Sequence, residues 1–147
     1  MNFNPQKDQM DCGPACISMV ASAYGKKYGF EYLRKNAFIS REGVSLLGIS
    51  EASKKIGLET ISAKLNTVTL IENNDSLPCI LHWNQNHFVV LYKISKSFFS
   101  QQPIFHIADP AYGKIKLTQD KFEKSWLSYL DQVVAVFLSP TDCFYKK

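Results

Sequence analysis

The residues able to do chemistry are spread over three stretches of the chain. Cys12 lies within Gln6–Gly25 (QKDQMDCGPACISMVASAYG), six positions after Gln6. His87 stands in Asn86-His87-Phe88-Val89-Val90, at the end of a polar turn, and Asp109 in Ala108-Asp109-Pro110. A free thiol is only a few per cent ionised near neutral pH, and a paired histidine or a helix N-terminus raises that fraction. The set reads as a cysteine-peptidase triad: Cys12 as nucleophile, His87 as general base and acid, and Asp109 as the carboxylate that orients the imidazole. Gln6 and the Cys12 backbone N–H would form the oxyanion hole, where one donor is worth roughly 3–4 kcal/mol of barrier. The implied reaction is attack on a peptide carbonyl, protonation of the leaving amine and hydrolysis of the acyl-enzyme.

Each residue also has a plainer reading. A cysteine on an apolar helix face is more often packing than chemistry. A strand-end histidine can simply bond a turn, Asp-Pro is most simply a turn, and a lone Gln is surface. Cys16, one helical turn after Cys12, and Cys79 read as core, Cys143 as a tail thiol and His106 as structural. A zinc site is a sharper rival, because Cys12 and Cys16 form C-x3-C and His82 and His87 form H-x4-H. The stretch from Cys16 to His82 is much longer than a zinc finger allows, and a hairpin would split the two histidines, so no metal is assigned.

The elements that must position these groups follow from capping and periodicity. Asp11 can cap a helix from about Cys12 to Tyr24, with Pro14 in its first turn and Gly25 as its stop. Cys12, Cys16, Met19, Val20 and Ala23 make one apolar stripe. Cys12 then sits at the helix N-terminus, where the dipole and free N–H groups favour a thiolate. Phe30–Lys35 reads as a short helix and 40–45 as a loop. Ser45 caps a helix to about Ile56, stopped by Gly57. Leu58–Leu65 alternates as a strand, and 68–73 reads as a short helix capped by Asn66 or Thr67. Residues 79–83 and 87–94 read as a hairpin about a turn at 84–86. Strands follow at 104–108 and 114–117, then a helix capped by Thr118 and running to about Leu127. The unbroken apolar run Val133–Leu138 suits a central strand. The order implies an α+β fold, a helical N-terminal half packed on a C-terminal antiparallel sheet, with Cys12 on the first part and His87 and Asp109 on the second.

Composition limits the alternatives. The chain has 147 residues, 46% hydrophobic and 20% charged, which suits one globular domain. No apolar run approaches the roughly 18 residues of a membrane span, and the N-terminus has no secretion-signal pattern. A reducing, cytoplasmic setting with four thiols is expected. The net charge of +4 comes from scattered lysines without a basic-aromatic cluster, so nucleic acid is not expected as a partner. There is no GxxxxGK[ST] loop.

With these residues in place the chain resembles the bacteriocin-processing cysteine peptidases, the papain-like N-terminal domains of peptidase-containing ABC transporters. The resemblance runs from Gln6 to about Leu138. Its first block is Gln6, Asp11, Cys12 and Gly13, followed by Ala15, Met19, Tyr24 and Gly25. Its second is Leu77–Trp83 with His87–Leu91. Its third is Ala108-Asp109-Pro110 and Gly113, with Phe122 and Trp126 after it. The resemblance implies a papain-like cysteine peptidase fold and cleavage after a double-glycine-type motif in a helical leader peptide docked in a groove. Trp83 and Phe88 are candidates to wall the narrow site beside Cys12, with core packing the equal alternative for both. Transmembrane and ATPase domains would be partners, ATP would enter only through them, and the domain would work at the inner face of the membrane. The domain is expected to span 1–140, with 141–147 as a tail or the start of a linker.

Overall fold

The helix that begins at Cys12 is buried on nearly all sides. In the computed structural model, which describes residues 1, 12–27, 39–40, 43–44, 46–83, 87–126 and 133–146, helix α1 is Cys12–Ala23. Every residue from Gly13 to Ala21 is buried, whereas Ala23, expected in the inner stripe, is exposed. The expected single stripe is thus corrected. Because α1 packs against strands and a second helix at once, small and apolar residues are needed all round it. Gly25, at φ +98°, ends α1 in the left-handed region, as expected of that glycine.

The expected loop at 40–45 instead carries a minimal antiparallel pair, β1 Ile39–Ser40 with β2 Gly43–Val44. Helix α2 is Leu46–Lys55, and Gly57, at φ +92°, turns the chain out of it. Strand β3 is Leu58–Leu65 and helix α3 is Thr67–Glu72. Of the two possible caps for α3 the structure uses Asn66, whose side chain accepts from the Thr69 N–H at 2.9 Å. Strands β4 Cys79–Trp83, β5 His87–Lys96, β6 Pro103–Asp109 and β7 Gly113–Thr118 follow. Helix α4 is Gln119–Trp126, β8 is Val133–Pro140 and α5 is Asp142–Lys146. The expected helix at 30–35, the caps Asp11 and Ser45 and the turn 84–86 lie outside the described residues.

Strands β3 to β8 form one six-stranded antiparallel sheet in the order β3-β8-β4-β5-β6-β7. The last strand is therefore interior, as its unbroken apolar run implies. Alternation along the strands sorts two cores. On one face Ile80, Phe88, Val90, Val136 and Leu138 meet Cys16, Ile17 and Val20 of α1 and Ile49 and Ile56 of the α2 segment. On the other, Cys79, Leu81, Val89, Leu91, Phe105 and Ile107 are covered by Phe122 and Trp126 of α4, with Leu70 of α3. The Phe105 and Phe122 rings stack with centroids 4.1 Å apart.

Residues 141–146, within the stretch expected as a tail or linker, are folded onto this frame. The Thr141 N–H and Oγ1 both donate to the Gly57 carbonyl, at 2.9 and 2.6 Å. Phe144 is fully buried in the core beneath α1. The α+β arrangement matches the expectation, with α4 adding a helix on the far side of the sheet.

Candidate active site

His87 is the first residue of β5 and Asp109 the last of β6. The antiparallel register sets Val90 opposite Ala108. Continued by one pair, it brings Asp109 level with Val89, so His87 is a diagonal neighbour on the same face. The side chains close that gap: His87 Nε2 lies 2.7 Å from Asp109 Oδ1. The pair joins two positions 22 residues apart, and adjacent strand ends bring them together.

Burial divides the two partners. The carboxylate is 4% exposed, while the imidazole keeps 22% of its surface open. A carboxylate this enclosed must be satisfied by donors, and Oδ1 also accepts the Ala111 N–H at 2.9 Å. The Asp109 carbonyl accepts from the Tyr112 N–H at 3.1 Å, closing the turn around Pro110. Asp109 therefore bonds its own turn and presents its carboxylate to the ring. The Ala111 and Tyr112 amides were not singled out from the sequence. Their signal is the Asp-Pro-Ala-Tyr run, since Asp readily bonds the backbone two residues on.

The other candidates fall in different places. Cys12 is the first residue of α1; its side chain, Gln6 and the side chain of Trp83 lie outside the described residues. The Trp83 backbone is paired directly opposite His87. Of the two readings of Phe88, wall of the site or core, the structure shows core: it is 2% exposed among the residues beneath α1 and stacks on His82 with centroids 4.9 Å apart. Being next to His87 in sequence, it points to the opposite face of the strand.

Cys16 and Cys79 are both fully buried, and burial pushes the Cys79 thiol well above its ordinary value. Both match the expected core role. His106 is nearly buried on β6 and shares a 2.8 Å hydrogen bond with Ser95 Oγ, the structural role expected of it. Among the described residues no three His, Cys, Asp or Glu side chains group as a metal cage. No helix among them is long and apolar enough to cross a membrane.

Comparison with known proteins identifies the family. The profile of the Peptidase C39 family matches residues 1–135, a span that includes Gln6, Cys12, His87 and Asp109. The chain belongs to the peptidase C39 family. Among its relatives is the lactococcin-G-processing and transport ATP-binding protein LagD of Lactococcus lactis, 34% identical over 129 residues and 85% of this chain. The transport/processing ATP-binding protein ComA of Streptococcus pneumoniae is 32% identical over 95% of this chain. The C39 chain spans 18% of LagD and 19% of ComA.

Solved structures agree. The peptidase domain of Streptococcus ComA superposes with a TM-score of 0.80 at 34% identity, over 94% of this chain and 97% of that one. A double glycine motif protease from an AMS/PCAT transporter, solved in complex with the leader peptide, gives a TM-score of 0.80 at 28% identity, over 95% and 91%. The fold is the papain-like fold of C39 peptidase domains, as the sequence resemblance implied.

Proposed function

We propose that this C39 chain is a cysteine endopeptidase that removes leader peptides from exported peptide precursors, bacteriocins or related molecules. Cleavage follows a double-glycine-type pair: Gly-Gly, Gly-Ala or Gly-Ser. The observation that carries the reading is the 2.7 Å contact of a part-exposed His87 with an enclosed Asp109, in a C39 chain whose Cys12 opens a buried helix.

The geometry supports a specific division of labour. With Nε2 directed at Asp109, Nδ1 is the ring nitrogen that exchanges protons with the reacting groups. A neutral ring carrying its proton on Nε2 donates it to the carboxylate and keeps Nδ1 as the base. His87 Nδ1 takes the proton of the Cys12 thiol, and Asp109 stabilises the imidazolium that forms. The thiolate attacks the carbonyl of the second residue of the small pair. Gln6 and the Cys12 backbone N–H hold the oxyanion. As the tetrahedral intermediate collapses, the imidazolium gives its proton to the departing amine, and water then releases the leader from the thioester. Trp83, opposite His87 in the backbone register, walls the site and favours small side chains. No cofactor enters these steps.

The names of the relatives support the wider setting, in which the leader-bearing precursor is the substrate. Transmembrane and ATPase domains of an ABC transporter are the partners, ATP is used there, and the peptidase works at the cytoplasmic face of the membrane.

The test is incubation with a synthetic double-glycine leader–cargo peptide followed by mass spectrometry, beside Cys12→Ala. One cut after the small pair, abolished in Cys12→Ala, is expected. Binding by both proteins with cleavage by neither would overturn the enzyme reading in favour of a leader-binding module. Transfer of the acyl group to an added nucleophile in place of hydrolysis would reassign it to another papain-like activity.

A further inference from the structure

The most conspicuous unused feature lies at the other end of the sheet. Strand β5 runs ten residues from His87 to Lys96, so its far end is about 30 Å from the His–Asp pair at the usual strand rise. There the chain turns through residues 97–102 into β6. The turn is well held: the Ser97 N–H donates to the Gln102 carbonyl at 2.8 Å and the Gln101 N–H to the Ser97 carbonyl at 3.0 Å. On it stand Phe98 and Phe99, 86% and 93% exposed, with rings edge to face and centroids 5.1 Å apart. A hydrogen-bonded turn of serines and glutamines does not require two phenylalanines. Displaying both to water is unfavourable, and nothing among the described residues covers them.

The charged side chains near the tip on the strands that lead to it are lysines, with Asp120 following Thr118, the partner of Ile104. From His87 to Thr118 the chain carries four lysines and one acid; Asp109, bonded to His87, and Lys114, paired with Ala108, stand at the opposite end, which leaves Lys93, Lys96 and Lys116 toward the tip. All four lysines are exposed. Lys96 directly precedes the turn. Lys93 and Lys116 flank His106 in one cross-strand row. Burial, then the Lys116 and Lys93 ammoniums, hold that imidazole below its ordinary value. Asp120 and Glu123 on α4 are the acids next along the chain, and Glu123 accepts from Gln119.

We propose that the β5–β6 tip is a membrane-contact element that seats Phe98 and Phe99 in the interface of an anionic bilayer, with Lys96, Lys93 and Lys116 against its headgroups. Shape selects this occupant. The tip is a narrow convex wedge, whereas a stable protein interface takes about 800 Å² from each partner, more than two rings on a six-residue turn supply. A bilayer accepts a small apolar wedge, and lysines close to its surface add attraction to anionic lipid that salt screens. The proposal is independent of the peptidase reading, because the tip and the His–Asp pair occupy opposite ends of the sheet.

The test is sedimentation of the purified chain with large unilamellar vesicles of phosphatidylcholine, alone or mixed equally with phosphatidylglycerol, at low and high salt. Binding to the mixed vesicles at low salt is expected. It should weaken at least tenfold in Phe98→Ser/Phe99→Ser and severalfold in Lys93→Gln/Lys96→Gln, with circular dichroism unchanged. Leader-peptide cleavage without vesicles should be unchanged in both. As a second measurement, Phe99→Trp should show a vesicle-dependent blue shift of emission beyond that of the parent. Absence of binding, or equal binding by the double-serine variant, would overturn the proposal and return the tip to a protein partner. Equal binding to the neutral vesicles would overturn the role of the lysines.

Discussion

Asp109 holds its position through local bonds as well as through the sheet. Its Oδ1 receives both the His87 ring and the Ala111 N–H, so a change at this carboxylate acts on the orientation and charge of the imidazole. Asp109→Ala should lower kcat/KM on a leader peptide by about two to four orders of magnitude. Asp109→Asn, which keeps an acceptor for the ring and the turn, should lose less. Steady-state cleavage of the same peptide by both variants checks this; equal activity of Asp109→Ala and the parent would remove Asp109 from the site. The other histidines act on stability. Burial holds His82 below its ordinary value, and burial with Lys116 and Lys93 does the same to His106. Each therefore binds less proton in the folded chain than in the unfolded one as pH falls through about 6.5, so acid favours unfolding. Tm should fall between pH 7 and pH 5, and His82→Phe, which preserves a ring on Phe88, should shallow that fall. Calorimetry across the pH range measures it.

At the scale of elements, α1 and α4 hold the sheet from opposite sides and do different work. Helix α1 carries Cys12 and is walled by core from Gly13 to Ala21, so its start is fixed by packing along its length. Helix α4 is held chiefly by Phe122 and Trp126. Phe122 stacks on Phe105 at 4.1 Å, in β6, the strand that ends at Asp109. Phe122→Ala should cost about 3–5 kcal/mol, the usual range for an emptied aromatic site in a core. Urea denaturation gives that number, and a loss below about 1 kcal/mol would show that α4 contributes little to the sheet's stability.

At the scale of the whole molecule, the last described segment is tied back to the first half of the chain. Thr141 bonds the Gly57 carbonyl twice, and Phe144 enters the same core as Cys16 and Val20 of α1. Removing residues 141–147 should therefore destabilise the domain by about 2–4 kcal/mol, from the lost burial of one large aromatic and two hydrogen bonds. An unchanged urea midpoint after truncation at Pro140 would show that the last helix is dispensable, as a linker would be.

Local chemistry written in the chain was readable directly. Gly25 and Gly57 end helices because they stand after apolar-periodic runs and tolerate a positive φ. Val133–Leu138 is an interior strand because its apolar run has no polar face to show water. His87 and Asp109 could be named because each begins or ends a strand beside a turn. Only the tertiary structure decided their contact, since 2.7 Å between residues 22 apart depends on the strand register. It likewise decided that α1 is enclosed rather than striped, that Phe88 faces the core while its neighbour His87 faces Asp109, and that Phe144 is packed rather than loose. Each of those outcomes depends on what another segment covers, and a sequence read along its length does not contain the neighbours that the fold supplies.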